Sequence, residues 1–159
     1  MTSAYIGLGS NLDDPPQQIE KAIGMLGDLA DTEVEARSSM YRSASFGPVE
    51  QANFVNAAVT LATSFGVHEL LSQLKKIEHD IGREPAVRWG PRIIDLDLLV
   101  FGDLVVDEPE LIVPHPGIAE RNFVLLPLRE IAPELLIPGL GRLTDIAVNE
   151  SEPQISRIA

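Results

Sequence analysis

The sequence contains no cysteine in 159 residues, which excludes disulfides, cysteine-ligated zinc and thiol nucleophiles. A chain of this length buries about two-thirds of its unfolded surface and holds a core without such staples. Aromatic residues make up only 5%, with one tryptophan and two tyrosines. No stretch approaches the roughly 20 apolar residues of a membrane helix. The opening MTSAYIGLGSNL carries no basic residue and does not read as a signal peptide, so the expected address is cytoplasmic. No G-x-x-x-x-G-K-[ST], G-x-G-x-x-G or G-x-S-x-G pattern occurs, so neither P-loop nor dinucleotide fold nor serine hydrolase is indicated. His68, His79 and His115 lack metal-ligand spacing.

Basic residues are half as numerous as acidic ones, 12 against 24, for a net charge of −12. Such a polyanion repels nucleic acid and anionic membrane, leaving a small-molecule or protein partner as the expectation. Only Lys21, Lys75 and Lys76 are lysines; the rest are arginines, whose planar donor fork suits phosphate and carboxylate. Repeats, low-complexity tracts and linker-like shifts are absent, so residues 1–159 read as one domain.

Ala4–Leu8 reads as a strand, followed by a Gly-rich turn. Asp13-Asp14-Pro15-Pro16 predicts a helix start, with aspartate at the cap and proline in the first turn. Ile19, Ala22, Ile23, Leu26 and Leu29 recur at helical spacing. Val34–Tyr41 predicts a weak strand and Phe54–Ala62 a better one. Val67–Ile81 predicts a helix closed by Gly82. Residues 83–92 hold two prolines and a glycine and read as a loop. Ile93–Phe101 is the clearest strand, and Leu104–Val106 is expected to pair back as a hairpin arm. Pro109–Pro116 reads as irregular, Ile118–Ile131 as a helix interrupted by Pro127, and Leu143–Val148 as a short helix. The tail 151–159 is expected to fray. The order β-α-β-β-α-β with C-terminal additions predicts an α+β fold of ferredoxin-like type.

Asp95 and Asp97 interrupt the clearest strand. Residues two apart share a face, so both carboxylates point one way, while Ile94, Leu96, Leu98 and Val100 point to the core. Two adjacent carboxylates suit Mg²⁺, whose shell waters and substrate phosphates complete. Taken alone, the pair is equally a solvated strand face. Arg83, Arg88 and Arg92 flank Trp89 in the loop entering that strand, and Arg121 follows His115, a set suited to ATP with its metal. Phe54 and Phe123 lie near Asn56 and Asn122; two rings and an amide suit a flat heterocycle, although both rings also suit a plain core.

The block Arg88-Trp89-Gly90-Pro91-Arg92-Ile93-Ile94-Asp95-Leu96-Asp97-Leu98-Leu99 resembles the signature of the 6-hydroxymethyl-7,8-dihydropterin pyrophosphokinase family. The resemblance extends to Tyr5–Leu12, Phe54–Val59, Val113–Pro116, Arg121–Leu128 and Glu130–Pro133. It implies a ferredoxin-like enzyme, usually a monomer, that moves pyrophosphate from ATP to the pterin hydroxymethyl group, releasing AMP in folate biosynthesis. By residue, it implies two Mg²⁺ ions on Asp95 and Asp97. It places Glu78, Arg83, Arg88, Trp89, Arg92, His115 and Arg121 on the ATP side, with Arg83 and Arg92 acting in catalysis. It places Ser43, Ala44, Phe46, Phe54, Asn56 and Phe123 around the pterin. The chain departs from the pattern where Glu84-Pro85 replaces a second loop arginine, where Ser43-Ala44-Ser45 replaces prolines, and where Phe54 replaces a tyrosine.

Overall fold

Along β1 (Thr2–Ser10) the aliphatic side chains of Ala4, Ile6 and Leu8 alternate with Tyr5, Gly7 and Gly9. That period-two pattern gives a strand with one greasy face and one nearly bare one. It is an interior strand of the main sheet in the computed structural model, which describes residues 1–44, 53–82, 93–149 and 154–158. After β1 come α1 (Pro15–Gly27), β2 (Thr32–Arg37), β3 (Tyr41–Ser43), β4 (Phe54–Thr63), α2 (Val67–Ile81) and β5 (Asp95–Phe101). Then follow β6 (Val106–Glu108), β7 (Leu111–Val113), α3 (Asn122–Ile131), β8 (Leu136–Ile137), β9 (Gly141–Arg142) and β10 (Ile155–Arg157).

The main sheet is mixed in connection but antiparallel in every pairing, in the order β10-β3-β4-β1-β5. β2 lies against β4 as well, further along the same side that β3 uses. Each helical crossover, β1-α1-β2 and β4-α2-β5, skips one strand, so β1 ends up between β4 and β5. α1 and α2 cover one face with Ile19, Leu26, Leu70, Leu74 and Ile77 against Ile6, Leu8, Val59 and Leu61. α3 packs on the other face, where Leu125 and Leu128 meet Leu99, Val100 and Ile118. Full burial of side chains of this kind contributes about 1.5–3 kcal/mol each, so both faces hold the sheet.

Several expectations are corrected. The strand expected over Val34–Tyr41 is two strands, because buried Ser38 interrupts it: its N–H donates to Ala58 O, and its Oγ accepts from Ala58 N, both at 2.9 Å. Asp14 does sit at the N-cap of α1, but in a left-handed conformation with no side-chain cap bond, and Gln18 Nε2 instead donates to Asp13 O at 2.8 Å. Leu104–Val106 does not return to β5. Val106–Glu108 pairs with Leu111–Val113, in the stretch expected to be irregular. Pro127 does not interrupt α3, which runs through it to Ile131 while Val124, Leu125 and Leu128 stay buried. Missing one N–H costs the helix a bond, and packing on the sheet outweighs it. Ile118–Glu120 is a separate 3₁₀ turn, and so is Leu143–Asp145 where a short helix is expected.

Val100 also departs from expectation. The β1–β5 register shifts between Tyr5 and Ile6, so that Tyr5 pairs with Val100 while Ile6 pairs with Leu98. The extra residue is a β-bulge at Leu99. It turns Val100 to the α3 face beside Leu99 and returns Phe101 to the α1/α2 face. The tail does not fray throughout either. Ile155–Arg157 pairs with β3, and Ile155 is buried.

A polar cluster ties α3 to β3. Glu130 accepts from Tyr41 OH at 2.7 Å and from Ser39 N at 2.9 Å. Burial, helped by the Glu130 carboxylate, pushes the Tyr41 phenol from 10.0 up to about 12. The folded state thus holds its proton more tightly than the unfolded state. Stability from this group is complete below pH 10 and declines between pH 10 and about 12. Chemical denaturation across that interval is expected to show a shallower alkaline loss in Tyr41→Phe than in the wild type.

Candidate functional site

The bare face of β1 decides where a ligand fits. In an antiparallel sheet, paired residues point to the same side. Gly9 pairs with Asn56 of β4 on one side and Asp95 of β5 on the other; Gly7 pairs with Ala58 and Asp97. Asn56, Gly9 and Asp95 therefore form one row across three strands, and Ala58, Gly7 and Asp97 form the next. Side chains stand at the outer positions, with none between. A methyl group on Gly9 would lie 3.2 Å from Asn56 Oδ1 and 3.9 Å from Phe54 Cδ1. A methyl on Gly7 would lie 3.4 Å from Leu99 Cδ1. Gly9 keeps a floor open that any side chain would narrow, while over Gly7 the buried Leu99 side chain already lies at contact distance.

Asp95 and Asp97 do share a face, as their spacing predicts, and both are half-buried. β5 is an edge strand, and its outer side is held in two places. Glu78 on α2 accepts Leu96 N–H through Oε2 at 2.8 Å, between the two aspartates. His115 N–H donates to Leu99 O at 2.8 Å. Glu78, assigned to the ATP side from the resemblance, is thus seen to position the carboxylate strand. This contact to a backbone amide has no signal in the sequence.

The segment after β7 carries His115 and Arg121. Gly117 N–H donates to His115 Nδ1 at 3.0 Å. Burial, and then the Arg121 charge, holds the imidazole below its ordinary range, so the ring is neutral at pH 7. With Nδ1 accepting, the proton sits on Nε2, which is a donor. Gly117 serves a second purpose that sequence reading missed: a methyl there would lie 2.8 Å from Arg121 Nε. Its φ of −92° suits any residue, so the glycine is there for space, and the arginine arm lies across it. Arg121 itself is the N-cap of α3, its carbonyl accepting from Val124 and Leu125.

At the other side of the floor, Asn56 is buried and donates through Nδ2 to Ser43 Oγ at 2.8 Å. Ser43 is opposite Phe54, so both share this face. Phe54 and Phe123 are partly buried, and Phe123 packs on the α3 cluster. Asn122 next to it is buried and donates to Asn149 O at 2.6 Å, an anchor for the start of α3. Ala44 N–H donates to Gln154 O at 3.0 Å. Of the residues predicted for the site, Phe46, Arg83, Arg88, Trp89 and Arg92 lie outside the described residues. Among the described residues no third His, Cys, Asp or Glu joins the carboxylate pair as a metal cluster.

A separate cleft of about 490 Å³ opens further along the same sheet face, beyond the C-terminal end of α3. Tyr5, Glu35, Thr60 and Pro133 line it, and it contains none of the residues above.

Residues 5–133 match the profile of the family described as 7,8-dihydro-6-hydroxymethylpterin-pyrophosphokinase (HPPK). The chain is 38% identical over 146 residues to the 2-amino-4-hydroxy-6-hydroxymethyldihydropteridine pyrophosphokinase of Haemophilus influenzae, covering 92% of this chain and 91% of that one. It is 43% identical over 142 residues to the enzyme of that name from Pseudomonas aeruginosa, covering 89% and 88%. The Bacillus subtilis enzyme is also 43% identical over 142 residues, covering 89% and 85%. Among solved structures, the chain superposes on Plasmodium falciparum HPPK-DHPS with pteroate at a TM-score of 0.73 and 15% identity. That match covers 99% of this chain and 46% of the Plasmodium one, so the chain spans less than half of the solved protein it resembles.

Proposed function

Since the chain belongs to the 7,8-dihydro-6-hydroxymethylpterin-pyrophosphokinase family, we propose that the glycine-floored face of its sheet is the active site. The activity is transfer of pyrophosphate from ATP to 6-hydroxymethyl-7,8-dihydropterin, releasing AMP, in folate biosynthesis. The single observation that carries the site assignment is the pair of rows Asn56-Gly9-Asp95 and Ala58-Gly7-Asp97. They put an amide for a heterocycle and carboxylates for a metal on one open floor.

On this reading, Asn56 and Ser43 read the polar edge of the pterin, Phe54 and Phe123 contact its faces, and Ala44 and Phe46 complete that side. His115 and Arg121 hold the triphosphate, Glu78 keeps β5 in register, and Arg83, Arg88, Trp89 and Arg92 complete the ATP side. The donor set fits Mg²⁺: two hard-oxygen side chains, two residues apart on one face and half-buried, leave the rest of the shell to water and phosphate oxygens. Asp95 and Asp97 would hold the two ions, which when bound neutralise phosphate charge.

The pterin hydroxymethyl oxygen forms a bond to the β-phosphorus as its O–H bond breaks and the proton passes to solvent water, and the bond from that phosphorus to the oxygen of the AMP leaving group breaks. Little covalent work falls to the protein; positioning and charge stabilisation carry the rate. Neutral His115 offers an Nε2–H to a phosphoryl oxygen, and Arg121 offers its fork of donors. The glycine floor lets the two substrates approach along β1 without a side chain between them.

The strand order, with β1 between β4 and β5 and two crossovers that each skip a strand, supports a ferredoxin-like assignment. We read residues 1–159 as one pyrophosphokinase domain. We read the chain as a cytoplasmic monomer, and its charge of −12 argues against nucleic-acid and anionic-membrane partners. Among the described residues no helix is long and apolar enough to cross a membrane. The test is product identification. AMP and pterin pyrophosphate are expected in equal amounts, only when ATP, pterin and Mg²⁺ are all present. ADP as the product, or AMP formed without pterin, would overturn the reading.

A further inference from the structure

β3 has three residues, and it leads straight into Ala44. A strand that short, left at an edge, has weakly specified register. β10 occupies its outer side. Ala44 N–H donates to Gln154 O at 3.0 Å, and Ile158 N–H donates to Met40 O at 2.8 Å. Between these ends Ser43, Arg42 and Tyr41 pair with Ile155, Ser156 and Arg157. Hydrogen-bonded pairs alternate in an antiparallel ladder, so residues 154, 156 and 158 turn their backbone groups toward β3.

Side chains reinforce the ladder. Arg157 donates to Ser39 Oγ at 2.6 Å and reaches Glu130 Oε2 at 3.5 Å. Ser39 and Tyr41 donate to the same Glu130 carboxylate. Hydrogen bonds to Glu130, and the Arg157 charge, outweigh the opposing effect of burial and hold that carboxyl below its ordinary range. β3 is thus gripped by β10 along its backbone and by α3 through Glu130. Its inner side carries Ser43, whose Oγ accepts the Asn56 amide at 2.8 Å.

We propose that β10 is a positioning strap for the pterin side of the site: residues 154–158 set the place of Ser43 and Ala44, and Arg157 locks the strap to α3. This rests on the reading that Ser43, Ala44 and Asn56 line the pterin. The ATP side hangs on β5, α2 and the Arg121 end of α3, whereas Arg157 reaches α3 only at Glu130 near its other end, so loss of the strap separates the two substrates.

The experiment uses the full chain with Ser156→Pro, which removes the N–H at the middle of the ladder. Binding of 6-hydroxymethylpterin and of a non-hydrolysable ATP analogue with Mg²⁺ is measured separately, alongside amide exchange at Ala44. The expected result is fast Ala44 exchange and a pterin Kd raised about tenfold, with the ATP-analogue Kd within about twofold of wild type. Fast exchange with an unchanged pterin Kd overturns the strap. Should Ser156→Pro fail to fold or leave Ala44 protected, Arg157→Ala decides. It is expected to raise the pterin Kd about threefold, with Arg157→Lys intermediate, and no shift in either variant overturns the proposal. Asn56→Ala separates the two layers. An unchanged pterin Kd there defeats the underlying site reading, whereas a weakened one beside a Ser156→Pro variant with fast Ala44 exchange and an unchanged pterin Kd defeats the strap alone.

Discussion

Asp97→Ala is expected to lower AMP formation by about a thousandfold or more while the protein stays folded. Asp97 sits opposite Gly7, on the open side of β5, half-buried, with aliphatic packing carried by its neighbours Leu96 and Leu98 on the far face. Removing its carboxyl deletes nothing from either aliphatic cluster. The loss should therefore appear in kcat rather than in the far-ultraviolet circular dichroism spectrum. A ligand that binds only the folded state raises its melting temperature, so the rise produced by Mg²⁺ with an ATP analogue should vanish in the variant. An Asp97→Ala protein that retains a tenth or more of wild-type turnover would remove the carboxylate pair from the chemistry.

Asn56→Ala is expected to raise the pterin KM by about tenfold to a hundredfold, with the ATP KM little changed. The side chain is buried, its Nδ2 is committed to Ser43 Oγ at 2.8 Å, and its Oδ1 faces the space over Gly9. A buried site built to bond a polar edge discriminates strongly because its groups are left unpaired by the wrong partner. The alanine variant loses that recognition and also frees Ser43 to turn. Steady-state kinetics with each substrate varied in turn check the split. A parallel rise in both KM values would mean that the residue supports the whole floor rather than one substrate.

Much of the candidate site is legible in the sequence. Alternation along Ile93–Phe101 is enough to put Asp95 and Asp97 on one face, because the period of a strand is a local property. The helix Val67–Ile81 and its glycine stop are local too; Gly82 has φ +107°, where glycine is favoured. What escaped depends on partners distant in sequence. The bulge that turns Val100 toward α3 arises from the register between β1 and β5, which no pattern within β5 encodes. β10 is polar and short and looks like a frayed end until β3 offers it an edge. Pro127 breaks a helix in isolation, but not one whose neighbours pack on a sheet. Glu78 bonding Leu96, and Gly117 making room for Arg121, are contacts of backbone or of empty space, which residue types alone do not announce. The resemblance to a known family implies roles for Asn56, Asp95 and Asp97, and the strand pairings through Gly7 and Gly9, which the sequence offers only as part of a turn, are the physical ground on which those roles are proposed.

The central claim is that metal-bound ATP and pterin lie side by side over the glycines of β1. The most direct measurement is amide line broadening in the ¹⁵N-labelled protein by Mn²⁺ with a non-hydrolysable ATP analogue, followed by titration with 6-hydroxymethylpterin. The account predicts that Mn²⁺ broadening centres on Gly7, Gly9 and Asp95–Asp97, and that the pterin then shifts Ser43, Ala44 and Asn56. Broadening centred instead on Glu35 and Glu134, at the cleft beyond α3, would contradict it.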